Sequence, residues 1–318
     1  MLSNAPLYLL LIAALVGCGL FLVLRRGLSP VACGLVFLSV FPGEFGFEYS
    51  YIENERQRAE LETTSEVNFI AQRLTGKLGA QLAAVEGLAT YIASNPGLSQ
   101  AEFDAFAHAI FARQDFLISI AAAPGLVVNM VYPLAGNETA LGLDYLKMPS
   151  QRKAVLRARD ERKAVLAGPV ELVQGGVALI GRLPVYIEEE NGTSRFWGIV
   201  SATMDAEKVF AAAGLDGHRS GVQIAVRGVD GQGSRGSVFY GSPELFGEEG
   251  VVLLPIPVAS GNWLMAAQYA SPEGLAVGVW FLRITALLVA AFWLVFLELL
   301  RRTRNNKRLY EQRILANE

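Results

Sequence analysis

The stretch 177-VALIGRLPVYIEEENGTSRFWGIVSATMD-205 carries the clearest structural signal in the chain. Val177–Ile187 and Trp197–Met204 are two apolar runs rich in β-branched and aromatic residues. They are separated by Glu188–Ser194, whose acidic residues, asparagine and glycine favour a reversal. Two long strands joined by a short polar loop must pair antiparallel. Asp205 closes the second run and is placed to cap a short helix over Ala206–Ala213.

Working outward, the upstream segment Tyr49–Tyr91 has helical periodicity. Leu74, Leu78, Leu82, Val85 and Ile92 recur at three- and four-residue spacing, with Arg73, Lys77, Gln81 and Glu86 on the other face. Asn95-Pro96-Gly97 ends this helix, and Ser99 with Glu102 forms a capping box for the next, whose apolar stripe is Phe103, Phe106 and Ile110. Leu117–Ala123 and Leu126–Tyr132 flank Pro124-Gly125 as a hairpin. Ser150–Leu166 reads as a helix. Downstream, Val222–Arg227, Ser237–Tyr240, Val251–Val258 and Trp263–Tyr269 form a second small sheet. Strands and helices in this order, without βαβ alternation, give an α+β fold with antiparallel sheets.

The ends of the chain are apolar. Val277–Leu300 is almost wholly so and is followed by Arg301, Arg302, Arg304, Lys307 and Arg308, which places the C-terminus in the cytoplasm. Arg283 is expected to snorkel outward near the start of that span, and Glu298 to sit at its inner boundary. Pro6–Leu24 is a further charge-free run followed by Arg25 and Arg26, and Leu28–Gly43 is a shorter one containing Pro30 and Pro42. The arginine pair favours a hairpin of two N-terminal crossings over a single one. The expected location is therefore multi-pass in the cell membrane, with everything between the spans outside the cytoplasm.

Composition narrows the function. Of the 318 residues, 52% are hydrophobic and 18% charged, with a net charge of -3, so no basic surface is present to bind nucleic acid. Cys18 and Cys33 both lie in the N-terminal apolar region, and His108 and His218 are far apart, so neither a disulfide framework nor a metal centre is expected. No nucleophile–base pair, paired carboxylates or phosphate-cradling glycine motif is visible, so neither an enzyme nor a cofactor is expected within this chain. Asn137-Glu138-Thr139 and Asn191-Gly192-Thr193 match glycosylation acceptors, relevant in a eukaryotic secretory pathway.

Several residues stand out as ligand contacts. Arg182 lies inside an apolar strand, where a guanidinium needs either a protein carboxylate or a ligand anion. An internal pair, with Asp144 as the candidate, is the first expectation. Gln174, in Gln174-Gly175-Gly176, suits a pocket rim or, in preference, a β-turn. Tyr132 and Tyr186 are placed either to cover a flat ligand or, more ordinarily, to fill the core.

Pro124-Gly125, Val131–Glu138, Leu141–Asp144, Ala167–Val170 with Gln174–Gly176, Arg182–Tyr186 and Phe196–Gly198 together resemble a CHASE sensory domain, from about Ser65 to Asp205. The resemblance implies an extracytoplasmic small-molecule receptor with a stalk helix and two PAS-like subdomains, the membrane-distal one holding the ligand. It also implies fusion to a histidine kinase, diguanylate cyclase or related output, and plant members bind cytokinins. By the resemblance, Gln151 and Leu172 join the candidate ligand contacts. Where plant receptors carry an aspartate before the helix motif, this chain has Gln151, and a threonine of theirs is Ala167 here.

The expected organisation is thus residues 1–48 N-terminal membrane segments (a hairpin of 6–24 and 28–47), 49–98 stalk helix and 99–213 membrane-distal ligand-binding part. Residues 214–272 form the membrane-proximal subdomain, 275–300 the final span and 301–318 a cytoplasmic helical linker. The expected function is a homodimeric transmembrane sensor of a small ligand in a two-component type of pathway, acting on a cytoplasmic output. The competing expectation is a structural membrane protein whose ectodomain docks another protein.

Overall fold

The computed structural model describes residues 30–172, 175–215, 222–269 and 273–316. Contacts divide the chain into two compact units, Ala59–Ala270 and the remainder.

Within the larger unit the backbone of the fold is helix α1, Pro30–Ser94, whose C-terminal half belongs to this unit. Its periodic stripe Leu74, Leu78, Leu82, Val85, Leu88 and Ile92 is buried, as the spacing predicts. Gln81, expected on the solvent face, is buried too, and its amide donates to the Gln114 side chain. Helix α2, Gln100–Phe111, begins with the expected capping box: Ser99 accepts from the Glu102 N–H, and the Glu102 carboxylate accepts from the Ser99 N–H at 2.8 Å. These bonds, from the Ser99 backbone first and its hydroxyl second, hold the Glu102 carboxyl below its ordinary range.

The first sheet contains β1 (Leu117–Pro124), β2 (Met130–Tyr132), β3 (Val165–Glu171), β4 (Val177–Glu188) and β5 (Ser194–Asp205) in the spatial order β2-β1-β5-β4-β3. All pairs are antiparallel, and β4 and β5 form the long hairpin read from the sequence. The second sheet holds β6 (Val222–Arg227), β7 (Val238–Tyr240), β8 (Val252–Val258) and β9 (Gly261–Tyr269) in the order β7-β6-β9-β8. The result is an α+β fold with two PAS-like antiparallel sheets, as expected.

Side-chain alternation gives the first sheet two faces. Ile120, Ala122, Leu179, Leu183, Val200 and Met204 face α1 and α2, in one core with Val222, Ile224, Trp263 and Met265 of the second sheet. A Cβ at Gly181 would lie 2.2 Å from Leu82 Cδ2, so a larger residue there would force the Leu82 side chain to move. Ala121, Ala123, Val165, Ala167, Ile180 and Ile199 face the other way, beneath helix α3 (Pro149–Glu161) and the loop that precedes it. Helix α4 (Ala206–Ala213) carries the expected Asp205 cap, which accepts the Lys208 N–H at 3.0 Å.

Two sequence expectations are corrected. The helix expected to reach Leu166 ends at Glu161, because Arg162 adopts a left-handed conformation (φ 55°) and Val165 and Leu166 then pair with Arg182 and Gly181 as β3. The strand expected from Leu126 is confined to Met130–Tyr132. Gly125 and Leu126 turn with positive φ, and the Val128 N–H goes to the Leu143 carbonyl in the following loop.

In the smaller unit, helix α5 (Glu273–Leu315) contains the one stretch among the described residues, Leu275–Leu315, that is long and apolar enough to cross a membrane. From Pro30, the stretch Leu28–Gly43 is continuous with α1, which runs through Pro42 into charged sequence. Pro6–Leu24 with Arg25 and Arg26 lies outside the described residues. A multi-pass arrangement is therefore not supported by the described residues. Arg283 does not simply snorkel: its Nε and Nη2 reach Glu48 of α1 at 2.9 and 2.5 Å. Gly278 allows α1 close in, since a Cβ there would lie 2.2 Å from Tyr51 Oη. Glu298 pairs with Arg302 one turn on, at 3.0 Å.

Two outcomes follow for the full chain in detergent micelles. Leu88→Ala, at a site with 0% exposure, lowers the unfolding free energy by roughly 2–5 kcal/mol in chemical denaturation. Glu48→Gln and Arg283→Gln, measured singly and together, show a coupling of roughly 0.5–3 kcal/mol; additive losses would deny the ion pair.

Candidate functional site

The second face of the first sheet contains a polar cluster in an otherwise apolar layer. β4 is an interior strand between β5 and β3, and Arg182, on the face covered by α3, has only 2% of its surface exposed. The register sets Ser201 of β5 directly beside it. Arg182 Nη1 donates to Ser201 Oγ at 2.6 Å, and Nη2 donates to the Oε1 of Gln151, in the first turn of α3. The Tyr145 ring lies against the guanidinium with its centroid 4.5 Å away, and its hydroxyl is 3.0 Å from Ser201 Oγ. Arg182 Nε is buried and has no hydrogen-bond partner.

The expected internal partner, Asp144, does not pair with Arg182. One of its oxygens lies 3.3 Å from Lys147 Nζ, and the other accepts the Leu146 N–H at 3.0 Å. Other acidic groups around α3 are also committed elsewhere: Asp160 to Arg159, Glu161 to Arg157, and Asp230 to the Gly168 N–H. The Glu138 carboxyl is held below its ordinary range by its own backbone N–H and that of Gly136, so its charge stays with its loop. Among the described residues no carboxylate forms an ion pair with Arg182. Arginine cannot shed its proton, and a buried charge without a counter-charge is unfavourable by several kcal/mol. The arrangement is a buried cation held by neutral oxygens and a π-face.

The sequence-derived candidates divide as follows. Arg182 and Gln151 meet. Tyr132 lies on the opposite face of the sheet, in the α1–α2 core, with its hydroxyl 2.8 Å from His108 Nδ1 and its ring edge-on to Phe111. Tyr186 donates its hydroxyl to the Arg159 carbonyl and stacks under Arg162, with the guanidinium 4.2 Å from the ring centroid. It lines a separate groove of about 440 Å³ with Glu86, Thr90, Lys163 and Pro184. Leu172 sits at the β3–β4 turn, where its N–H donates to Gly176 and its carbonyl accepts from Gly175, both at 3.0 Å. Gly175 and Gly176 have φ of +92° and +85°, the left-handed turn conformation glycine favours. Gln174 falls outside the described residues.

Sequence reasoning missed Tyr145 and Ser201. Ser201 is a small hydroxyl inside an apolar strand, and only the β4–β5 register makes it a partner of Arg182. Tyr145 comes from an irregular loop, where periodicity gives no sign of which way a side chain points.

No curated protein matches the chain. Among solved structures, it is similar to an extracellular ligand-binding receptor from Desulfohalobium retbaense, with TM-score 0.54 and 17% identity over 67% of this chain and 41% of that one. It is also similar to the ligand-binding domain of the Pseudomonas aeruginosa amino-acid chemoreceptor PctC, with TM-score 0.46 and 15% identity over 63% of this chain and 95% of that one. The periplasmic domain of Vibrio cholerae LuxQ gives TM-score 0.40 and 11% identity over 65% and 98%. The chain thus spans 41% of the length of the first receptor, and at 17% identity that likeness bears on the fold alone. The family model of the CHASE domain matches residues 78–240, from the middle of α1 to the end of β7 and just over half of the chain, so the protein belongs to the CHASE domain family of sensory proteins.

Proposed function

We propose that this protein is the sensory part of a transmembrane receptor and binds a small organic ligand outside the cytoplasm, at the α3-covered face of the first sheet. One observation carries the reading. Arg182, Ser201, Gln151 and Tyr145 form a buried polar cluster where a folding core alone would place aliphatic side chains. Gln151 and Arg182 are binding residues in this reading. Tyr132, Leu172 and Tyr186 make no described contact with them, and Gln174 lies outside the described residues.

The signal leaves through the end of the chain. β9 ends at Tyr269 and α5 starts at Glu273, so a displacement of the second sheet is passed to the apolar helix by a short connection. The basic cluster after Leu300 sets the C-terminus in the cytoplasm. There the helical segment ending at Leu315, with exposed Leu309 and Ile314, is suited to pairing with a second copy and to driving an output domain. Catalysis belongs to that output, not to the residues described.

Topology and binding are tested separately. In a cysteine-free background, Asp160→Cys, at an exposed site of α3, is labelled by a membrane-impermeant maleimide in intact cells; labelling only after permeabilisation would reverse the orientation. For binding, the full chain in micelles is heated with a broad set of small metabolites, purines included. At least one compound raises the midpoint in a concentration-dependent way; stabilisation by none would remove the receptor reading.

A further inference from the structure

We infer that the ligand carries a carboxylate, received by Arg182 in place of the Gln151 side-chain oxygen. This rests on the α3-covered face being the ligand site, and adds the chemical class of what binds there.

The argument is one of unmet demand. A guanidinium presents five N–H donors in a planar fork that matches the two oxygens of a carboxylate. At Arg182 two donors are used, both by neutral oxygens, and Nε is buried without a partner. The two oxygens bonded to the guanidinium are uncharged, and Asp144, Asp160, Glu161 and Asp230 are engaged with other partners. Gln151 Oε1 occupies the position on Nη2 where an anionic oxygen would bind more strongly, and the Gln151 amide N–H is then free to donate to the same ligand.

The surroundings fit a small acid. Tyr145 offers a ring face beside the guanidinium, and its hydroxyl and that of Ser201 offer further polar contacts. Tyr145 shares its apolar cluster with Ala121, Ala123 and Ala167 of the sheet and Ala154 and Ala158 of α3, together with larger aliphatic side chains. A purely structural arginine would be expected to have a carboxylate in this layer, and none is paired with it among the described residues.

The test uses the full chain in micelles and a panel of small carboxylic acids (aliphatic, aromatic and α-amino), each paired with its neutral amide, beside inorganic phosphate and neutral purines. At least one acid raises the thermal midpoint and its amide does not. Arg182→Met removes that shift while leaving the ligand-free midpoint equal or higher, because an uncompensated buried charge has been deleted. Arg182→Lys keeps the charge but not the fork, and weakens the acid's apparent affinity by at least about tenfold. A drop in the ligand-free midpoint, or loss of folding, in Arg182→Met would show that the guanidinium serves the fold and overturn the inference. Stabilisation only by phosphate, or only by a neutral compound that acts equally on Arg182→Met, would also overturn it while leaving the receptor reading intact. Stabilisation by nothing would bring down that reading itself.

Discussion

The structure depends on one burial event, the apolar stripe of α1 from Val67 to Ile92 lying against both sheets at once. The helix covers one face of the first sheet, and the absence of a Cβ at Gly181 leaves room for the Leu82 side chain. Because the first sheet is backed by α1 on one face, its other face is free to be covered by something smaller and more polar. That division lets the polar cluster around Arg182 sit apart from the main core.

The next residue makes the same point. Gly181 and Arg182 are neighbours on β4 and so project to opposite faces. One permits tight packing on the helix side; the other places a permanent charge on the α3 side. A cation there is unfavourable for folding, and among the described residues no carboxylate pairs with it. Sites that keep such an imbalance are commonly functional rather than architectural.

Much of this was legible in the sequence, and the misses have physical causes. The β4–β5 hairpin, both caps and the last apolar helix announce themselves through local rules, and all are present. The boundary between α3 and β3 does not, because Arg152–Leu166 keeps helical periodicity past Glu161. Only pairing of Val165 with Arg182 pulls the chain into a strand. Arg182 was visible as a charge in an apolar run, and Gln151 through the family resemblance. Their meeting, and the part played by Ser201, depend on strand register and on the placement of α3, which no local pattern encodes. Tyr132 shows the opposite case: an aromatic at an attractive position that the strand's alternation sends to the far face.

Helix α3 has a second grip. Six residues after Gln151, Arg157 donates to the backbone carbonyls of Asp230 at 3.0 Å and Ser260 at 3.2 Å, and Ser260 in turn donates its hydroxyl to Ala164 at 2.7 Å. Ser260 immediately precedes β9, the strand that leads to the apolar helix. Helix α3 thus joins the buried cation, through Gln151, to the turn before β9, through Arg157. Because Arg157 is held by main-chain oxygens, replacing the side chains at 230 and 260 without altering the turn would leave its two bonds in place, whereas loss of the Arg157 guanidinium would remove both.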